Sequence, residues 1–350
     1  LVMSFFLLAF FISYSVFLYH YQYSSYISII GKVVYPILFF FLGHWLVKED
    51  KNYNKTVKYL FTIIIAFTLY GVLSTQKVIS LYGSTLAARS SIGRAGIDIW
   101  TNSVVSATAL NAWLAFGLSL LALLFIQDYT LEKWKKIKFL SLLCFVLSVY
   151  AVIQLGNRTG VVIMIATFVI TLFFISKLNI DKILKLILIL LMFVITRVLY
   201  QINIFGLRYM IENSYLFGRF MDSSLADDPR VETWKIAFIG LFENPMGGKE
   251  TKIPLNYAHN MWLDVGYEAG IISFTLLLIF TLMTLTSIMI FLKKDHSLLV
   301  KGLILSLYTS FILTFFVEPV LSGLNEYFTI FCLLIGMIYR LNQDNSSEHI

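Results

Sequence analysis

Residues Ile183–Val194 read ILKLILILLMFV, eleven apolar side chains around a single lysine. Polar and apolar residues do not alternate in it, so it is not a strand of a transmembrane barrel, whose strands alternate between lipid and lumen. Continued to Tyr200, the run is long enough to cross a hydrocarbon layer of ~30 Å as a helix. Runs of the same kind fill the rest of the chain. Of its 350 residues 59% are hydrophobic and 13% charged, and the mean hydropathy is +0.81. That is about half the charge of an average soluble domain. A water-soluble core of this size could not enclose so much apolar surface. The fold class that follows is all-α: a polytopic transmembrane helical bundle, read as one integral membrane domain over residues 1–350.

Ten spans are expected, at about Leu1–Tyr19, Ile30–Val47, Val57–Ser74, Val104–Gln127, Phe139–Leu155, Gly160–Ser176, Ile183–Tyr200, Asp264–Leu292, Gly302–Val317 and Leu324–Arg340. Leu1–Tyr19 has neither a basic start nor a small-residue cleavage site, so it reads as a retained span and not as a removed signal. Cys144 and Cys332 fall inside runs and read as small apolar residues. With both termini in the cytoplasm, Lys48–Lys58, Asp128–Lys138, Lys177–Lys185, Lys293–Lys301 and the tail lie inside. They hold fourteen of the nineteen lysines but, of the eight arginines, Arg340 alone. The positive-inside rule accounts for the lysines. It does not account for arginines sorted outward. Guanidinium is the cation suited to bidentate contact with phosphate oxygens, so the outer arginines suggest an anionic ligand there.

Two outer segments are long: Thr75–Ser103, with Arg89 and Arg94, and the large extracytoplasmic loop Gln201–Leu263, with Arg208, Arg219 and Arg230. Loops of that length in compact proteins carry function or are disordered, and the second holds strong structure signals. Asp227-Asp228-Pro229-Arg230 reads as a helix start, and Asn244-Pro245 as its stop. Arg230, Trp234, Ala237 and Leu241 share a face, with the guanidinium at the positive helix end, where an anion is favoured. A plain pairing of Arg230 with Asp227 or Glu232 is the competing reading. Gly247-Gly248 reads as a turn, since no lysine-serine follows to make a phosphate loop.

His259, at the start of the next span, is either a polar anchor at the interface or, with an ordinary pKa near 6.5, a proton acceptor for a hydroxyl. Asp264 and Glu268 lie further down that helix, with Gly266 and Gly270, four apart, allowing close helix approach. An intramembrane arginine is the expected partner of Glu268, with Arg158 and Arg197 as candidates; Arg197 otherwise snorkels to the surface. Arg158, in the tight turn Gly156-Asn157-Arg158-Thr159-Gly160, calls for a ligand or a structural pair. Tyr257 and Trp262 can pack against lipid or line a sugar site. His20, His44, His296 and His349 form no ligand-spaced cluster, so no metal is expected. Nucleotide-binding loops, dinucleotide fingerprints and internal repeats are not visible. The net charge of +7 calls for no nucleic acid.

The ordered set of Asn-Arg-Thr-Gly in a turn, a long outer loop with Arg-x3-Trp and Asn-Pro-x-Gly-Gly, then Ala-His-Asn-Met-Trp-Leu-x4-Glu-Ala-Gly-Ile entering a span, resembles the bacterial O-antigen ligase/polymerase superfamily. The resemblance covers roughly 156–292. Asn157 stands where that family usually has serine. What it implies is a glycosyltransferase of the membrane C type in the bacterial cytoplasmic (inner) membrane, its active site facing the exterior. No cofactor is implied. Donor and acceptor would be undecaprenyl-pyrophosphate-linked oligosaccharides, polymerised with inversion and without metal into a surface polysaccharide, O-antigen or capsule. A chain-length regulator protein is a candidate partner. By the same resemblance His259 would be the catalytic base, Arg158 and Arg230 would hold the diphosphate, and Asn260 and Glu268 would support the site. Arg89 and Arg94 join the diphosphate set from sidedness. A ligase transferring glycan to lipid A core is the alternative within the family. A transporter or flippase of lipid-linked oligosaccharide is the alternative outside it, disfavoured because the spans hold almost no ionisable residue below their outer third.

Overall fold

The computed structural model describes residues 2–20, 26–47, 54–126, 134–175 and 229–344. In chain order the elements are α1 (Val2–His20), α2 (Tyr26–Leu46), α3 (Asn54–Tyr82), α4 (Thr85–Ile92), β1 (Ala95–Ile97), β2 (Val104–Ser106), α5 (Ala107–Ser119), a 3-10 stretch (Leu120–Phe125), α6 (Trp134–Leu155), α7 (Arg158–Ile175), α8 (Pro229–Glu243), α9 (Met261–Lys293), α10 (Leu298–Val317), α11 (Val320–Gly323) and α12 (Asn325–Asp344). Lipid offers backbone amides no hydrogen bonds, so apolar runs of this length close their bonds within themselves as helices. Eight helices among the described residues are long and apolar enough to cross a membrane, and each falls on one of the ten expected runs. The run Ile183–Tyr200 lies outside the described residues. The tenth run forms α12, which Glu326, Arg340, Asn342 and Gln343 leave more polar than the other eight.

Several expected boundaries move by a few residues, and two of the shifts have a physical reason. The third span does not stop at Ser74: α3 continues to Tyr82, because the Thr75 hydroxyl bonds back to the Gly71 carbonyl (2.8 Å) and a polar side chain need not end a helix. The helix ends at Gly83, in the left-handed region at φ 79°. The fourth span starts at Ala107, not Val104, since Val104–Ser106 pairs antiparallel with Ala95–Ile97. The segment Thr75–Ser103 is therefore ordered as a helix end, a short helix and a hairpin.

The chain sorts into two compact units, Leu1–Ile64 with Leu225–Ile350, and Ile65–Ser224. In the first, α2 and α12 pack backbone to backbone. A Cβ at Gly43 would strike the Leu333 carbonyl, and one at Gly336 that of Phe40. Small residues permit this approach where water supplies no drive for association. α1 runs along α9, with the Ser13 and Ser273 hydroxyls 2.8 Å apart. Aromatic rings fill the core, among them Phe311 against Tyr327 at 4.7 Å and Phe315 against Phe331 at 4.9 Å between centroids.

α9 is broken in its path. Gly270 takes φ 78°, ψ −178°, which opens the backbone ladder. The freed groups are met by the segment after α8: the Ile271 amide donates to the Pro245 carbonyl (2.9 Å), and the Gly248 and Lys249 amides donate to the Glu268 and Tyr267 carbonyls (3.0 Å each). Gly247-Gly248 is thus the turn it was read as, at φ 78° and 75°. A Cβ on Gly247 would collide with the Gly270 amide. Of the two glycines expected to bring a helix close, Gly266 does so against Leu241 of α8, whereas Gly270 opens the helix instead.

The second unit packs α5 against α6 and α7 through Val72, Leu110, Leu114, Leu118, Ala151 and Val152. The buried Asn157 side chain donates to the Ala107 carbonyl at 2.6 Å and ties the α6–α7 turn to the start of α5. Asp98 closes the hairpin, accepting from Trp100 N (2.8 Å), Thr101 N (2.7 Å) and the Tyr70 hydroxyl (2.8 Å). The Thr101 amide first, then the Tyr70 hydroxyl, hold its carboxyl down at about 2.

Candidate active site

α8 begins at Pro229, as the Asp-Asp-Pro-Arg pattern predicts; Asp227 and Asp228 themselves lie outside the described residues. Its first turn carries Arg230, whose Nη1 donates to the Val317 carbonyl at the end of α10, 3.2 Å away. Such a carbonyl has no partner within its helix, and a cation complements that end. The next residue, Glu318, is buried at 1% exposure just beyond the span. Burial pushes its carboxyl up to about 7, against the pull of the Arg230 charge. Arg230 thus bonds the end of α10 beside Glu318, and Asp227, one of its two expected partners, lies outside the described residues. One turn further on, Trp234 Nε1 donates to the Ala258 carbonyl at 2.7 Å. Ala237 and Leu241 are buried, completing the expected face.

Ala258, His259 and Asn260 enter α9 through a small turn held by side-chain bonds. The Asn260 side chain caps the helix by accepting from Leu263 N (3.1 Å). In return the Asp264 carboxylate accepts from Ala258 N (2.6 Å) and Asn260 N (3.2 Å). With the Trp234 bond, the residues on either side of His259 are held from three directions. His259 itself is left-handed, at φ 54°. For a non-glycine residue that conformation costs about 1–3 kcal/mol and persists where the surroundings over-determine it. The half-buried imidazole therefore stands at the positive end of α9, 6.4 Å from the Tyr257 ring between centroids.

Glu268, two turns into α9, is a junction. Its carboxylate accepts from the Tyr14 hydroxyl (2.7 Å) and the Ser322 hydroxyl (3.0 Å) and pairs with Lys249 Nζ (3.2 Å). Among the described residues the cation on Glu268 is a loop lysine. Arg158 belongs to the other unit, and Arg197 lies outside the described residues. Lys249 also stands over the Tyr257 ring, 5.8 Å from its centroid. Glu268 thereby fixes α1, the segment that plugs the helix break and the α10–α12 connection to one point. Asp264, Glu268 and Glu318 are all buried, the first two turned to internal donors, whereas Arg230, Lys249 and His259 are half-exposed.

Arg89, Arg94 and Arg158 belong to the second unit. Arg89, exposed on α4, and Arg94, ahead of β1, line one small cleft with Thr85 and Gln154. Arg158 is the first residue of α7 and is half-buried. Arg208 and Arg219 lie outside the described residues.

Sequence reasoning missed the roles of Trp234, Lys249, Asp264, Tyr14 and Glu318. Two carry a readable signal: Asp264 is an acid in the first turn behind an asparagine cap, and Glu318 is a lone carboxylate ending an apolar run. Tyr14, in an unbroken apolar run, carries none.

A comparison with protein-family models finds no match, and a comparison with curated proteins finds none.

Proposed function

We propose that the chain is a membrane glycosyltransferase of the C type that polymerises undecaprenyl-pyrophosphate-linked oligosaccharide units into a surface polysaccharide at the outer face of the bacterial cytoplasmic membrane. The observation that carries the reading is His259: a left-handed histidine pinned by Asp264 and Trp234 at the positive end of α9, with Arg230 one turn from that tryptophan. Outside the cytoplasm no nucleotide drives the reaction, so the donor must arrive activated, as a lipid diphosphate does. The acceptor hydroxyl gives its proton to His259 as its oxygen bonds to the anomeric carbon from the face opposite the diphosphate. The bond from that carbon to the diphosphate oxygen breaks, and its electron pair leaves on the lipid diphosphate, with inversion. Preorganised guanidinium groups lower the energy of that developing charge. Arg230 is the candidate diphosphate cation of the first unit, and Arg158, Arg89 and Arg94 are the candidates of the second. Asn260 and Glu268 support the turn and the helix break.

The test is gel analysis of surface polysaccharide in a deletion strain complemented with wild type or His259→Ala. The variant should give single-repeat products at unchanged protein level. Unaltered chain length removes His259 from the mechanism. Full-length polymer left on its lipid carrier in the deletion strain would make the enzyme a ligase instead.

A further inference from the structure

α8 divides its circumference into three sectors. Thr233, Ala237, Gly240 and Leu241 are buried, with Leu241 packed on Gly266 of α9. At about 100° per residue, Val231, Phe238 and Phe242 fall together on a second side, flanked by Lys235 and Ile239, and Glu232 and Glu243 fall together on a third. Every side chain of the last two sectors is exposed. Val231, Phe238 and Phe242 are 56%, 51% and 65% exposed, and the two phenylalanine rings meet edge to face with centroids 5.6 Å apart. A helix on the surface of a soluble protein carries one apolar stripe, turned to the core. A second stripe, bounded by an acidic edge, suits a helix that touches protein, lipid and water at once. The ends of α8 fix its level. Arg230, in its first turn, donates to the carbonyl of Val317, the last residue of α10. Pro245, two residues past its end, accepts from Ile271 N at the break in α9. From Ile271 to Lys293 that helix reaches about 35 Å, enough for a bilayer's hydrocarbon. α8 therefore lies at the rim of the hydrocarbon, and Met246 and Ile272, on either side of the junction, are exposed apolar residues as well.

We infer that α8 is a membrane-interface helix: its Val231, Phe238 and Phe242 side enters the lipid leaflet at this end of α9 and α10, among the acyl chains just beneath the headgroups. Lys235 reaches from the flank of that side toward the lipid phosphates, and Glu232 and Glu243 face water. The inference does not depend on the glycosyl-transfer reading. Its consequence for the site is one of depth, because Trp234 of the same helix holds the turn that carries His259 and so sets it at headgroup level. The test uses the full chain in nanodiscs of phosphatidylethanolamine and phosphatidylglycerol. Val231→Cys, Glu232→Cys, Phe238→Cys, Phe242→Cys and Glu243→Cys are each labelled with a nitroxide, against a background of two buried cysteines. All five side chains are exposed, so no substitution removes core packing. Power-saturation EPR then compares collisions with oxygen, which partitions into lipid, and with a nickel chelate, which stays in water. The oxygen-to-nickel ratio should be several-fold higher at the three apolar positions than at the two acidic ones. Equal ratios at all five put α8 in water and overturn the inference. Labels at the phenylalanine positions that are shielded from both reagents overturn it as well, since a protein surface, from a second copy or from this chain, then covers that side.

Discussion

Glu318 makes a prediction about stability that needs no substrate. Burial raises its carboxyl from an ordinary 4.5 to about 7, so the folded protein holds the proton more tightly than the unfolded chain does. The sign follows: stability from this group is complete below about 4.5, declines as pH rises through 7, and the loss is at most roughly 3 kcal/mol. Thermal unfolding followed from pH 5 to pH 8 should show that decline, and Glu318→Gln should remove it; an unchanged slope in the variant would place the titration elsewhere. Asp264 makes the opposite kind of prediction. Each of its oxygens serves one backbone amide beside His259. Asp264→Asn keeps one acceptor and turns an amide group toward the other N–H, which leaves a buried donor unmet at about 1–3 kcal/mol. Polysaccharide elongation should fall sharply while the protein still inserts. His259 and Asn260 were legible in the sequence because polar residues at a span boundary stand out. Asp264 was visible only as an acid on a helix, since its work depends on the chain doubling back to the cap, a geometry that spacing does not state.

At the scale of elements, the decisive feature is the break in α9 and the segment that fills it. Opening a helix inside a membrane strands backbone groups that water cannot reach, and non-helical backbone persists there only where protein covers it. Pro245–Lys249 supplies that cover with three backbone bonds. Gly270→Ala should therefore be severe. It forces alanine into a backbone region open essentially to glycine alone, about 1–3 kcal/mol, and drives a Cβ into the Pro245 carbonyl and Met246. Detergent-solubilised protein should unfold at a clearly lower temperature, whereas Gly323→Ala, with open space around its Cβ, should match wild type. Equal behaviour of the two would mean that α9 runs through unbroken. The helices themselves were legible because hydropathy alone selects them. The break was not, because Gly270 reads in sequence like Gly266, four residues earlier, and only the neighbour each one meets separates them: Leu241 in one case, backbone in the other.

For the whole molecule, the sorting of cations is the claim that structure and chemistry must share. Lysine gathers in the segments assigned to the cytoplasm and arginine elsewhere, but helices alone carry no direction. α9 does fix a relation. The part beyond its break, from Ile271 to Lys293, reaches about 35 Å at 1.5 Å per residue, enough for a bilayer's hydrocarbon, so His259 before the start of α9 and Lys293 at its end face opposite compartments if it crosses. The two native cysteines, Cys144 and Cys332, are both buried, which makes the wild-type chain a quiet background for thiol labelling. Lys252→Cys, on the exposed loop between α8 and α9, should react with a membrane-impermeant maleimide in cells whose cytoplasmic membrane is intact, and Lys293→Cys should react only after that membrane is opened. The reverse pattern would put Arg230 and His259 in the cytoplasm, where an exterior lipid-linked polymer is not assembled, and the proposed reaction would fail. The outer arginines bear on the same question by substitution. Guanidinium forks onto phosphate oxygens in a way that an ammonium does not, so Arg158→Lys and Arg230→Lys should each lose at least tenfold in elongation, nearly as much as alanine. Full activity in both lysine variants would show that the outward arginines hold the fold and do not grip a diphosphate.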